Sequence, residues 1–136
     1  MEMILNNVND SEYLSKNQYL LNYRKDVASQ FGEDGIIEKI LDFLPDQNKW
    51  CVEFGAWDGK HCSNTYNLIV NKNWNGVLIE GDKGKYNDLL RTYQNNPKVI
   101  PINRMVRFSN DDSLDSILLN TPIKIIAIMS PKLICQ

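Results

Sequence analysis

From Trp50 onward the chain alternates short apolar runs with segments of helical periodicity, and that alternation leaves few architectures open. Trp50-Cys51-Val52-Glu53-Phe54 reads as a short buried strand that runs into a glycine-containing turn. A helix is expected from about residue 64 to residue 70, then a second buried strand, Gly76-Val77-Leu78-Ile79-Glu80. Tyr86, Leu89, Leu90 and Tyr93 recur at the spacing of one helix face. Val99-Ile100-Pro101-Ile102 is a third strand, which its proline confines to a sheet edge or a strand end. Leu114, Ile117 and Leu118 mark another short helix, and residues 123–129 a fourth strand. Strands separated by helices require crossovers, and crossovers make a parallel sheet. Near-continuous apolar strands suit a sheet covered on both faces. The expected fold class is therefore α/β, a Rossmann-like parallel sheet with flanking helices, incomplete at about four strands.

Upstream, residues 11–25 place Tyr13, Leu14, Leu20, Leu21 and Tyr23 at loosely helical spacing and read as a lead-in helix. The polar loop Ser29-Gln30-Phe31-Gly32-Glu33-Asp34-Gly35 then opens a second helix. Its apolar positions are Ile36, Ile37, Ile40, Leu41 and Leu44, and Pro45 ends the run. Glu33 and Asp34 in the first turn suit the positive end of the helix dipole. With 136 residues the chain suits one core, divided here into a lead-in at 1–28 and a partial Rossmann-like domain at 29–136.

In sheets of this kind ligands bind at the carboxyl ends of the strands. The first strand ends in Glu53-Phe54-Gly55-Ala56-Trp57-Asp58-Gly59. Gly55 allows a sharp turn without a Cβ clash, and Gly59 lets backbone pass close to a ligand or to a neighbouring helix. The second strand ends in Glu80, where a nucleotide site carries its ribose-binding acid. Such a carboxylate accepts from both ribose hydroxyls, and hydrogen bonds to charged groups are worth about 1.5–3 kcal/mol each. A dinucleotide would need G-x-G-x-x-G, whose middle glycine admits the pyrophosphate. Ala56-Trp57 stands there instead, and Glu53 would repel phosphate. S-adenosylmethionine, which has no phosphate and a cationic amino-acid end, tolerates both. An NAD-dependent oxidoreductase is disfavoured on the same ground. Glycines after a strand and a strand ending in Glu are, each alone, as often merely structural.

A net charge of -2, with 43% hydrophobic and 24% charged residues, gives no basic surplus for nucleic acid or anionic membranes. The longest apolar stretch near the end, Ile125 to Met129, is too short to span a bilayer, and Met1 to Asp10 lacks a signal-peptide layout. Cys51, Cys62 and Cys135 form no C-x-x-C pair, and His61 is the single histidine, so a zinc site is not expected. Reduced thiols and a cytoplasmic location are the simplest expectation.

Together these segments resemble the FkbM-like group of class I methyltransferases. The likeness rests on Ser29-Gln30-Phe31-Gly32-Glu33-Asp34, Val52-Glu53-Phe54-Gly55-Ala56-Trp57-Asp58-Gly59 and Ser63-Asn64-Thr65. It continues through Trp74-Asn75-Gly76-Val77-Leu78-Ile79-Glu80 to Pro101-Ile102-Asn103, over about residues 29–118. The resemblance implies an S-adenosylmethionine cradle formed by Glu53, Gly55, Ala56, Trp57, Asp58 and Gly59, with Glu80 on the ribose. It places Gly81 and Asp82 near the adenosine, and Asn103-Arg104-Met105 where the adenine is contacted. Gln30, Glu33 and Asp34 would cap the pocket. Ser63, Asn64 and Thr65 either offer backbone N–H groups to the ligand or simply cap the helix.

The implied reaction moves a methyl group to an oxygen or nitrogen of a small-molecule or sugar acceptor. Asp58 is a possible base, and equally a holder of the cofactor's amino end. The apolar run at 125–129 lacks the acid expected at its end, so a truncated, inactive remnant is the alternative expectation. Among the remaining residues, His61 reads as a loop histidine rather than a base, and Cys62 as a packed thiol. Trp50 and Trp74 read as packing groups, Trp57 as the functional aromatic. Lys83, Lys85 and Arg91 read as a solvated helix face.

Overall fold

The computed structural model describes residues 19–44 and 48–123. The chain divides into two compact units, Met1–Gln47 and Asn48–Gln136.

In the first unit residues 19–25 of the lead-in segment are described: a helical turn at 19–21, then a turn and irregular chain where the helix was expected to continue to 25; residues 11–18 lie outside the described range. Helix α1, Glu33–Asp42, follows Gly32, whose φ of 86° is the left-handed conformation glycine adopts freely. α1 ends at Asp42, with Phe43 as its C-cap, and Pro45 lies outside the described residues. The Asp34 carboxylate organises the turn before the helix. Its Oδ2 accepts the backbone N–H groups of Val27, Ala28 and Ser29 at 2.8, 2.8 and 2.9 Å. Burial alone would raise the Asp34 carboxyl, but these donors hold it below the ordinary value. Gly35 N–H donates to Lys25 O at 3.0 Å. A Cβ on Gly35 would lie 1.9 Å from Tyr23 O, so no larger residue fits there.

The second unit holds a parallel sheet of three strands in the order β1-β2-β3: Trp50–Phe54, Asn75–Ile79 and Val99–Ile102. Glu53 pairs with Leu78 and Phe54 with Ile79, so β1 and β2 end side by side. Crossover helices α2, Tyr66–Val70, and α3, Lys83–Tyr93, join the strands. A 3-10 turn, Asn110–Asp112, precedes α4, Leu114–Leu118. The α/β class and the parallel sheet agree with the alternation read from the sequence. Residues 124–129 of the expected fourth strand lie outside the described residues. Pro101 sits in β3, which pairs with β2 alone among the described strands, as a residue without an N–H requires.

Strand residues alternate between two faces. Leu78 and Val99 pack with Ile69 of α2 and Leu89 and Tyr93 of α3, against half-buried Cys51. Val77 and Ile79 pack with Ile117 of α4, against half-buried Trp50, Val52, Ile100 and Ile102. Both faces are thus covered, α2 and α3 on one and α4 on the other. Leu90 departs from the expected face of α3: Leu89 and Tyr93 are buried, whereas Leu90 is 38% exposed. At 100° per residue Leu89 and Tyr93 point at the sheet and Leu90 falls to the side.

Candidate functional site

The loops after β1, β2 and β3 meet at the carboxyl edge of the sheet, where Glu80 ties them together and Glu53 braces the first. Glu53 faces the same side of β1 as Cys51. Its Oε2 accepts the hydroxyls of Ser63 (2.7 Å) and Thr65, and its Oε1 accepts Asn64 N–H at 3.3 Å. Ser63 Oγ in turn accepts Thr65 N–H and Tyr66 N–H at 3.2 and 3.0 Å. Ser63 Oγ thus takes the first N–H of α2, while Ser63, Asn64 and Thr65 together hold Glu53. The Glu53 carboxylate is half-buried, and both its oxygens are engaged by residues 63–65. The Cys51 thiol on the same face is pushed up to about 12 by burial, with Glu53 adding to the effect.

Glu80 is 7% exposed and joins all three loops. Its Oε2 accepts Trp57 N–H at 2.9 Å and its Oε1 accepts Asp82 N–H at 2.7 Å. Its backbone N–H donates to Ile102 O at 2.9 Å, and its carbonyl accepts Asn103 Nδ2 at 2.7 Å. Asn103 thus fastens the third loop to the end of β2. Arg104 of the same loop pairs with Asp112 at 2.8 Å. Met105 lies beneath Gly81, where a Cβ would come within 2.8 Å of its Cε.

The glycine turn divides by role. Gly55, Trp57 and Gly59 all take positive φ, of 68°, 47° and 71°. At Gly59 a Cβ would meet Tyr93 Cε2 at 2.5 Å and Leu89 Cδ1 at 2.6 Å. Its carbonyl accepts the Tyr93 hydroxyl at 2.7 Å, and burial raises the Tyr93 phenol above its ordinary value. Gly59 therefore serves close packing of the turn on α3. A Cβ on Gly55 would meet nothing within 4 Å, so that glycine faces open space. Ala56 is buried, with its N–H donating to Ile79 O at 3.1 Å. Asp58 Oδ1 accepts the N–H groups of Lys60 and His61 at 2.9 and 2.7 Å, closing the loop on itself.

Trp57 is 42% exposed, whereas Trp74 is buried and Trp50 half-buried, the division expected from their positions. His61 stands edge-on to the Trp57 ring with centroids 5.3 Å apart. Lys85 Nζ lies 5.0 Å from the centroid of the same ring. That contact escaped the sequence reading, which left Lys85 on a solvated helix face. The available signal was its place in the first turn of α3, where the helix dipole disfavours a cation. Arg91 does lie on such a face, paired with Asp88 at 2.8 Å.

Asp82, at the N-cap of α3, accepts Lys85 N–H at 2.9 Å. Gln30, Glu33 and Asp34 belong to the first unit: Gln30 is exposed, Glu33 Oε2 accepts Phe31 N–H at 2.7 Å, and Asp34 holds the preceding turn. Among the described residues no group of three or more His, Cys, Asp or Glu is placed to hold a metal, and no helix is long and apolar enough to cross a membrane. No family model, curated protein or solved structure matches the chain.

Proposed function

We propose that the unit Asn48–Gln136 is the cofactor-binding part of an S-adenosylmethionine-dependent methyltransferase of FkbM-like type, acting on a small-molecule or sugar acceptor. One observation carries the reading: the in-register tips of β1 and β2 bring the open Gly55 turn and Glu80 to one edge of the sheet. Their chemistry suits an adenosyl group without phosphates. A carboxylate has about four lone-pair sites, and Glu80 uses two on Trp57 and Asp82. Two remain for the two ribose hydroxyls. Trp57, fixed in the left-handed conformation at the place of a dinucleotide site's middle glycine, obstructs a pyrophosphate. When bound, the cofactor supplies an electrophilic methyl on a sulfonium. The chain's contribution is to hold and orient it, since methyl transfer rests mainly on in-line placement.

A second reading, a domain that folds without binding cofactor, is favoured by the internal use of both carboxylates. Glu53 braces the loop after β1 and Glu80 joins its neighbours through hydrogen bonds made wholly within the chain. Calorimetric titration with S-adenosylmethionine separates the two. Micromolar binding that is weakened in Gly55→Val, with the circular dichroism unchanged, supports the methyltransferase reading. A folded protein that binds no S-adenosylmethionine overturns it. Glu80→Ala is unsuited to this purpose, because it also strands two backbone donors.

A further inference from the structure

The Trp57 side chain is the least explained group at the carboxyl edge. It is 42% exposed, so burial does not hold it there. Its backbone sits at φ 47°, a conformation that a glycine would adopt freely and an L side chain adopts at a cost. Its N–H is spent on Glu80, a bond any non-proline residue at 57 would supply. What only the indole contributes is an aromatic face, and a cation already occupies it. Lys85 Nζ is 5.0 Å from the ring centroid, within the roughly 6 Å over which ring and cation attract. Lys85 holds that place from the first turn of α3, against the helix dipole.

We infer that Trp57 is a cation-selective wall of the proposed cofactor site, and that the Lys85 ammonium occupies its face at rest and competes with a positively charged ligand for it. The inference rests on the proposed cofactor. It adds that the ring distinguishes the charged sulfonium of S-adenosylmethionine from the neutral thioether of S-adenosylhomocysteine, which otherwise offers the same adenosyl and amino-acid groups. Recognition by the ring alone favours the charged ligand about two- to five-fold, the range of an exposed cation–π contact. Removing the resident ammonium raises that preference, and removing the ring abolishes it. His61, edge-on to the indole at 5.3 Å, helps to fix the ring plane.

The test is calorimetric titration of the full chain with S-adenosylmethionine and with S-adenosylhomocysteine, at pH 8 and moderate salt. In wild type the charged ligand should bind more tightly. Trp57→Leu should lower the ratio of the two affinities by about two- to five-fold, mainly by weakening S-adenosylmethionine. Lys85→Met should raise the ratio, strengthening S-adenosylmethionine while leaving S-adenosylhomocysteine nearly unchanged. Trp57→Phe, which keeps an aromatic face, should restore part of the preference and guards against a merely structural loss in the leucine variant. If both ligands bind wild type but the ratio is the same in all four proteins, the wall is wrong and the cofactor reading stands. If neither ligand binds the folded protein, both fall.

Discussion

Gly55 and Gly59 look equivalent in the sequence, yet alanine should affect them very differently. Both have positive φ, 68° and 71°, and an L residue in that region costs about 1–2 kcal/mol. For Gly55→Ala that is the whole penalty, because nothing stands within 4 Å of the new Cβ. For Gly59→Ala the methyl comes 2.5 Å from a Tyr93 ring carbon and 2.6 Å from Leu89 Cδ1. Neither neighbour has room to yield: Leu89 is fully buried, and Tyr93 is tied by its hydroxyl to Gly59 O. Overpacking of this kind adds about 1–3 kcal/mol, which brings Gly59→Ala to about 2–5 kcal/mol in all. Urea unfolding followed by tryptophan fluorescence reads the difference, since all three tryptophans lie in this unit. With a slope of about 2 kcal/mol per molar, Gly55→Ala should lower the midpoint by about 0.5–1 M and Gly59→Ala by about 1–2.5 M. Equal midpoints for the two variants would refute the division of the turn into an open side and a packed side.

Other outcomes follow from the same contacts. Asp34 has a folded value below the ordinary carboxyl value of 3.8, so its contribution to the first unit is whole above that value. It is lost as the pH falls through the lower folded value. Asp34→Asn should cost on the order of 2 kcal/mol at neutral pH and flatten this acid dependence, read from the amide exchange of Val27, Ala28 and Ser29; an unaltered acid profile would count against it. Cys51, raised to about 12 by burial and Glu53, should resist alkylation at pH 8 in the folded protein and react on unfolding. Peptide mapping that finds Cys51 modified under native conditions would contradict its placement. Asp82→Ala removes the cap on Lys85 N–H and should cost about 1 kcal/mol, measured as a fall in thermal midpoint. No change in that midpoint would show that the cap is idle.

The sheet was legible because its signals are local. Strand residues 50–54 and 76–79 are apolar enough to demand cover on both faces, and the helical spacing between them demands crossovers. Proline at 101 marked an edge or a strand end, and among the described strands β3 is an edge. The roles within the turn were harder to read. A glycine motif tells only that φ or space is needed at 55 and 59. Which of the two applies depends on Leu89 and Tyr93, some thirty residues away on α3. Glu53 was assigned by its place at the strand end, but its partners Ser63 and Thr65, ten and twelve residues on, are set by how the loop folds back. The partner of Lys85 was hidden for the same reason: its place in the first turn of α3 marked it as unusual, but the β1–β2 register is what brings that turn beside Trp57.

That Glu80 is both a knot and the proposed ribose acceptor is a consequence of geometry rather than a conflict. A carboxylate that must meet two hydroxyls has to be held in a fixed rotamer, or ordering it on binding costs about 1.5–2 kcal/mol of side-chain entropy. Donation from Trp57 N–H and Asp82 N–H fixes both oxygens before any ligand arrives. The two functions then separate by substitution. Glu80→Gln keeps one acceptor oxygen and places an amide NH2 against the other backbone N–H. It should therefore destabilise the unit by about 1–3 kcal/mol and, on the proposed reading, weaken S-adenosylmethionine binding at least ten-fold, because hydrogen bonds to a charged acceptor are worth about 1.5–3 kcal/mol. Thermal unfolding and calorimetry on the same preparation decide between them. A loss of stability with unchanged affinity would leave Glu80 as a knot alone.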